Sequence, residues 1–258
     1  MTRRVLPARG SRLGRYRSRR ATGPGFRLRA TGWRYVRLMK LIVLYDNRAL
    51  PGFEAGWGLA VLIVGGPRTV LFDVGWDGDL LLRNMGRLEI DPGSIDDIVL
   101  SHPHWDHIGG LPQVLHQGAR VHVPSSFSPA LRREIATRAQ LEVCGEPRHI
   151  CAGVSTTGTH DLEQALLLDV GGGQVVLSGC AHPGLGVFMD VARSSGPVVG
   201  VVGGLHGFTE LDLLEGLDLV APGHCTRQLE PIASRFDRTC RVLAAGLEID
   251  LAHLGGGP

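Results

Sequence analysis

The chain has 258 residues, 43% of them hydrophobic and 20% charged, with a formal net charge of +2. That composition belongs to a globular chain with a substantial core, and no stretch nears the roughly 18 apolar residues of a membrane span. Five scattered cysteines without a CxxC pair suit a reducing cytoplasm better than a disulfide scaffold.

The small net charge conceals an asymmetry. Residues 1–38 hold twelve arginines and no acid, which leaves 15 basic against 25 acidic residues in 39–258. This Arg-, Gly- and Ser-rich leader has no apolar periodicity and is expected to be disordered. Arginine runs neutralise phosphate, which would suit a nucleic-acid arm. A targeting peptide has a similar bias, but the apolar core of a secretory signal is missing. The composition changes abruptly at Met39, so the leader is read as lying upstream of a start at MKLIVLYDN, a natural first strand.

Downstream, β-branched runs bounded by turn residues predict strands over 41–45, 59–64, 69–74, 97–100, 119–123, 165–170, 174–177, 198–202, 217–220 and 242–249. Gly-Gly-Pro at 65–67 and Gly-Gly-Gly at 171–173 read as hairpin loops. Helical spacing predicts helices over 79–88, 110–117, 129–140, 185–194, 210–215 and 227–236. Ten strands build two sheets more easily than one, with helices on the outer faces, an α+β arrangement in one domain over 39–258.

The chemistry concentrates in LSHPHWDHIGG, residues 100–110. In an extended or turning segment His102 and His104 can point the same way, and Asp106 and His107 can face a second point nearby. Imidazole and carboxylate ligate zinc, iron and manganese. Gly109 and Gly110 let the backbone turn sharply into the next helix. Four donors cannot complete two sites, so further ligands must come from His182 in LSGCAHPG, His206 in VGGLHGF or His224 in APGHCT. Each of these follows an apolar run and has glycine close by. Alone, each would more simply be a packed or solvated histidine.

With HxHxDH, Asp73 in LFDVG and the late histidines, the sequence resembles the metallo-β-lactamase superfamily over about residues 39–250. MKLIVLYDN, LSGCAHPG, VVGGLHG and APGHCT resemble, more narrowly, its 7,8-dihydropterin-6-yl-methyl-4-(β-D-ribofuranosyl)aminobenzene-5′-phosphate synthase-like metal-dependent hydrolases. The resemblance implies an αββα sandwich of two mixed sheets flanked by helices, with two divalent ions at one edge. Zinc is the first expectation and iron or manganese the alternatives. It implies one metal on His102, His104 and His182 and a second on Asp106, His107 and His224. Asp73 would support the ligand loop through hydrogen bonds. Where the superfamily usually has a bridging aspartate this chain has Cys180, which either bridges as a thiolate or is a small buried residue without a ligand role.

His206 is expected at the substrate, as a proton donor or phosphate contact, and His160 is a weaker ligand candidate. His116, His122, His149 and His253 read as structural or exposed, and Cys225 as loop packing. The implied reaction is metal-dependent hydrolysis, or a related transfer, of a small phosphorylated or pterin-like anion by metal-activated hydroxide, with Asp106 orienting the nucleophile. The expected partner is a small-molecule substrate in the cytoplasm. Neither a membrane nor nucleic acid is expected, and oligomerisation is left open. Three rivals remain: a di-iron redox member of the fold, a nucleic-acid-processing hydrolase using the basic leader, and an inactive binding protein.

Overall fold

The central strands carry apolar residues on both faces and must therefore be covered on both sides. In the computed structural model, which describes residues 39–256, Leu41 and Val43 of β1 (Lys40–Tyr45) enter one apolar cluster, while Leu44 enters another and Ile42 packs against it. The leader 1–38, with its expected disorder, lies outside the described residues.

Thirteen strands form two sheets among the described residues. In the first, β1, β2 (Ala60–Val64), β3 (Val70–Phe72), β4 (Asp97–Val99), β5 (Arg120–Pro124) and β6 (Gln140–Cys144) lie side by side in sequence order, with β13 (Glu248–Asp250) outside β1. The second runs backwards in order, from β12 (Leu219–Gly223) through β11 (Val198–Gly204), β10 (Gln174–Ser178), β9 (Leu166–Asp169) and β8 (Val154–Thr156) to β7 (Arg148–Cys151). Both are mixed: β3 to β6 and β10 to β12 pair in parallel, and the other neighbours pair antiparallel.

The facing surfaces interdigitate in a core that includes Val61, Phe72, Val99, Leu166, Val175, Leu177 and Val202. The outer face of the first sheet is covered by α1 (Gly78–Arg87), α3 (Leu111–Val114) and α4 (Pro129–Ala136), through residues such as Leu81, Met85, Val114 and Ile135. The outer face of the second is covered by α5 (Leu185–Arg193) and α6 (Leu229–Arg235), through Phe188, Met189 and Ile232. Helix starts obey local chemistry: Asp77 accepts from Asp79 and Leu80 N–H, and Ser128 from Leu131 N–H just ahead of Pro129. The result is the expected αββα sandwich. No helix among the described residues is long and apolar enough to cross a membrane.

Four expectations change. The segment 140–156 folds as β6 and β7, each at the edge of its sheet, and β8 beside β7; the mixed polar sequence of the two edge strands reflects exposed edges that need no continuous apolar run. The helix expected over 129–140 stops at Ala136, and Gln140 already pairs with Arg120. Of the strand expected over 242–249, only its last two residues join β13, and 210–215 holds a 3₁₀ turn, Leu211–Leu214, in place of an α-helix.

One buried charge fastens the first sheet away from its apolar faces. Asp97, fully buried at the start of β4, accepts from Arg68 Nε, from Arg120 Nε at 3.0 Å and from His122 Nε2 at 2.8 Å. Burial pushes this carboxyl upward, but the hydrogen bonds from His122, Arg68 and Arg120 outweigh it and hold it at about 2, against an ordinary 3.8. A depressed carboxylate favours the fold in its ionised form, so about 2 kcal/mol of stability is present above pH 4 and lost as pH falls through 2. Asp97→Asn is expected to cost about 2–3 kcal/mol at neutral pH. Urea unfolding from pH 5 to pH 2 should also show a flatter acid limb in the variant than in the wild type.

Candidate metal centre

Parallel strands carry the site, because their carboxyl ends open on one edge of an α/β-type sheet. Asp73 follows β3, and the segment from Ser101 to His107 follows β4. Cys180 and His182 follow β10, His206 follows β11 and His224 follows β12. A single helical turn, α2 (Trp105–Ile108), begins after His104 and lifts Asp106 and His107 towards the later histidines. The expected loop is thus partly helical. Four non-glycine residues of the strand-end loops around the site have left-handed backbone, Asp73 (φ 56°), Ala181 (φ 57°), His206 (φ 40°) and His224 (φ 46°). Each costs on the order of 1–3 kcal/mol, which the surrounding hydrogen bonds must offset.

Asp73 is the anchor. Its Oδ1 accepts Ser101 N–H at 2.7 Å, and its Oδ2 accepts both Ser101 Oγ–H at 2.7 Å and His107 Nδ1 at 2.7 Å. Ser101 Oγ, its proton given to Asp73, accepts in turn from His102 Nδ1 at 2.9 Å. In the neutral rings this assigns the protons of His102 and His107 to Nδ1 and leaves lone pairs on both Nε2 atoms. His224 receives the same treatment from Asn47, whose Oδ1 lies 3.2 Å from His224 Nδ1.

These lone pairs point at one another. His102 Nε2 lies 2.9 Å from His104 Nδ1, and His107 Nε2 lies 3.1 Å from His224 Nε2. Asp106 Oδ2 stands 3.3 Å from His224 Nε2 and 3.9 Å from His107 Nε2. His182 completes the first group, its ring centroid 4.8 Å from that of His102 and 4.9 Å from that of His104. The donor atoms of His102, His104 and His182 lie within 4.8 Å of one another, and so do those of Asp106, His107 and His224. Where two lone pairs face each other, as at His107 Nε2 and His224 Nε2, a cation fits between them. The structure therefore brings together both groups expected from the sequence.

The electrostatics of His102, His182 and Asp106 agree. Burial, then the neighbouring imidazoles, drive His102 far below the usual imidazole range and bring His182 down to about 4. Both rings are thus neutral, each with one unprotonated nitrogen. Burial disfavours the charge on Asp106, but His224 and His107 outweigh it and hold the carboxylate ionised. His107 moves upward: burial opposes its cation, yet Asp73 and Asp106 prevail.

Cys180 Sγ lies between the groups, 3.3 Å from His107 Nε2 and 3.2 Å from Cys225 Sγ, and can group with His102 and His107. His206 stands beside His182 at 5.0 Å between ring centroids, and its buried Nδ1 has no partner among the described residues. His160 is elsewhere, bonded to Thr157 O, and His116 and His122 bond Ile95 O and Asp97.

Three supporting residues had not been singled out. Glu163, fully buried, accepts Cys180 N–H at 2.8 Å, Ala181 N–H at 3.0 Å and His182 N–H at 2.8 Å, which holds the whole Cys180–His182 loop. Asp46 accepts His224 N–H at 2.8 Å, while Asn47 Nδ2 donates to His224 O at 2.9 Å. The YDN at the end of β1 was a signal for the second pair, but nothing local marks Glu163. Around the mouth, Trp57, Trp76 and Trp105 are 59%, 57% and 70% exposed, and Trp57 meets His224 edge-on at 5.3 Å. Beside His182 and His206 opens a cavity of about 260 Å³, lined also by Leu185, Leu205, Phe208 and Glu210.

A two-sheet αββα sandwich with this donor set at one edge defines a metal-dependent hydrolase class. The model of the metallo-beta-lactamase superfamily matches residues 56–139. A metal-dependent hydrolase of the β-lactamase superfamily has the same architecture at a TM-score of 0.69 with 26% identity, covering 82% of this chain and 98% of that one. Among curated relatives, the 7,8-dihydropterin-6-methyl-4-(beta-D-ribofuranosyl)-aminobenzene-5'-phosphate synthase of Methanocaldococcus jannaschii is 26% identical over 242 residues, 67% of this chain and 82% of its own length. A ribonuclease of Thermus thermophilus is 34% identical over 110 residues, 42% of this chain but only 24% of the ribonuclease, so the chain spans about a quarter of that relative. Over residues 56–139 the chain is thus similar to the metallo-β-lactamase superfamily, and over most of its length it shares the fold of one of that superfamily's metal-dependent hydrolases.

Removing Glu163's charge tests how the loop is held. Glu163→Gln is expected to lower stability by about 1–3 kcal/mol, because one amide oxygen cannot serve three N–H groups. Metal affinity, measured by competition with a chromophoric chelator, should fall by about 10–100-fold.

Proposed function

We propose that the chain hydrolyses a small phosphorylated or pterin-like anion at a two-cation centre, with one ion on His102, His104 and His182 and the other on Asp106, His107 and His224. The observation that carries this reading is the pair of donor groups whose lone pairs converge, two of the rings having their protons fixed by Asp73. When bound, such ions supply Lewis acidity and bring the pKa of water from 15.7 down towards about 7. Zinc is the first candidate, since imidazole, carboxylate and a nearby thiol are all suitable ligands for it.

The chain's own groups do the rest. Asp106, ionised beside His224, accepts a hydrogen bond from the attacking water and sets its direction. His206, its Nδ1 without a protein partner, faces the space beside His182 and can donate to the leaving oxygen or hold an anionic group. Trp57 offers an exposed indole next to His224, which suits a flat conjugated ring. The 260 Å³ cavity by His206 and Phe208 has room for the remainder of a small substrate. Five free cysteines support a cytoplasmic location.

A nucleic-acid substrate is the second reading, favoured by the 34% identity to part of a ribonuclease. The acidic balance of residues 39–258 argues against it, because a phosphate backbone binds basic surfaces.

Elemental analysis beside hydrolysis of small phosphodiesters tests the first reading. The wild type should hold two divalent ions per chain. Asp106→Ala and His182→Ala should each lose metal and at least about 100-fold in kcat/KM, equivalent to about 2.7 kcal/mol of transition-state stabilisation. Wild-type protein that takes up neither zinc, iron nor manganese would refute it. Trp57→Ala should raise KM for an aryl phosphodiester several-fold and leave KM for an alkyl one unchanged.

A further inference from the structure

We propose that Cys225 is a metal ligand, joining Cys180 and His224 in a thiolate-containing donor set that makes the centre selective for thiophilic divalent ions over manganese or magnesium. The inference rests on the two-cation reading above and adds two thiolate ligands to it. Cys225 had been read as loop packing, and the geometry points elsewhere. The donor atoms of Cys180, His224 and Cys225 lie within 4.8 Å of one another. This set shares His224 with the Asp106 group and Cys180 with His102 and His107.

The backbone aims the sulfur there. His224 turns through left-handed φ directly after β12, so the next side chain swings back across the end of β11. Gly204, at that end, leaves room for it: a Cβ there would stand 2.9 Å from Cys225 Sγ. The two sulfurs are 3.2 Å apart and unbonded. Two thiolates on one tetrahedral zinc, with bonds of about 2.3 Å, stand about 3.8 Å apart. A spread of about 0.6 Å, within the reach of small χ1 rotations, therefore takes the pair from contact to coordination.

The consequence for metal choice follows from ligand softness. Histidine and aspartate accept zinc, iron and manganese alike, whereas thiolate favours zinc and its heavier congener cadmium and disfavours manganese and magnesium. Two sulfurs at one side of the centre would decide a competition that the six histidine and aspartate ligands leave open.

The test is spectroscopic. Full-length reduced protein, freed of metal and reductant under nitrogen, is titrated with Cd²⁺ and Co²⁺ while sulfur-to-metal charge-transfer absorption is recorded and bound metal is counted. The wild type should develop the band. Cys225→Ser should bind the same number of ions with about half the band intensity, Cys180→Ser should do likewise, and the double variant should show none. Cys225→Ser should also narrow the preference for Zn²⁺ over Mn²⁺ by about tenfold or more.

A Cys225→Ser band equal to that of the wild type overturns the proposal. So does a wild type that binds two ions without a thiolate band, and in that case the two-cation reading stands alone. A wild type that binds no ion at all fails both. If Cys225→Ser does not fold, alkylation of the native protein decides: bound Zn²⁺ should slow modification of Cys225, followed by peptide mass mapping, and an unchanged rate at Cys225 refutes it as a ligand.

Discussion

The centre depends on one buried carboxylate, Asp73, and on what it does to protons. It carries no solvent, and it accepts from Ser101 N–H, Ser101 Oγ–H and His107 Nδ1. A histidine ring presents a lone pair on one nitrogen only if its proton is held on the other. Asp73 achieves this directly for His107 and through the Ser101 hydroxyl for His102. One residue at the end of β3 thereby orients one imidazole of each donor group, and its own left-handed backbone places the carboxylate between the β3 and β4 ends.

The remaining loops are held by the same device, a buried carboxylate accepting main-chain N–H groups. Glu163 collects three from the Cys180–His182 loop, and Asp46 collects His224 N–H. Burial raises both acids, Asp46 to about 6. Their role is therefore to fix backbones that would otherwise relax from strained conformations, at some cost in their own ionisation. The sandwich provides the rigid base. Each ligand-bearing loop leaves the carboxyl end of a strand buried on both faces, so loop position is set by a core that tolerates little movement.

The aromatic mouth and the thiol pair set this centre apart from a bare histidine cluster. Exposed tryptophans are costly in water and stand here at the entrance. The two sulfurs lie on the buried side, where Cys180 and Cys225 share a hydrogen bond. One thiol is pushed up in pKa and the other down because a single proton serves both.

What the sequence alone determined was local and periodic. Short β-branched apolar runs, bounded by Gly and Pro, marked most of the strands and the two-sheet, helix-covered class, and HxHxDH after a strand announced the donor cluster. Strand-end histidines 182 and 224 were legible because their flanking glycines and apolar runs repeat the context of the first cluster. The tertiary structure decided what depends on contacts distant in sequence. Polar edge strands such as β6 and β7 exist because a neighbour supplies hydrogen bonds that their own sequence does not advertise. Glu163 reads as one more acid in a loop until folding brings β9 beside β10 and buries it against three N–H groups. Cys225 likewise gains its place beside Cys180 only when β11 and β12 pair in parallel, 45 residues on in sequence and 3.2 Å away in space. Residue types and spacings are written in the chain, but protons, lone pairs and sulfur contacts are assigned only when the two sheets close on each other.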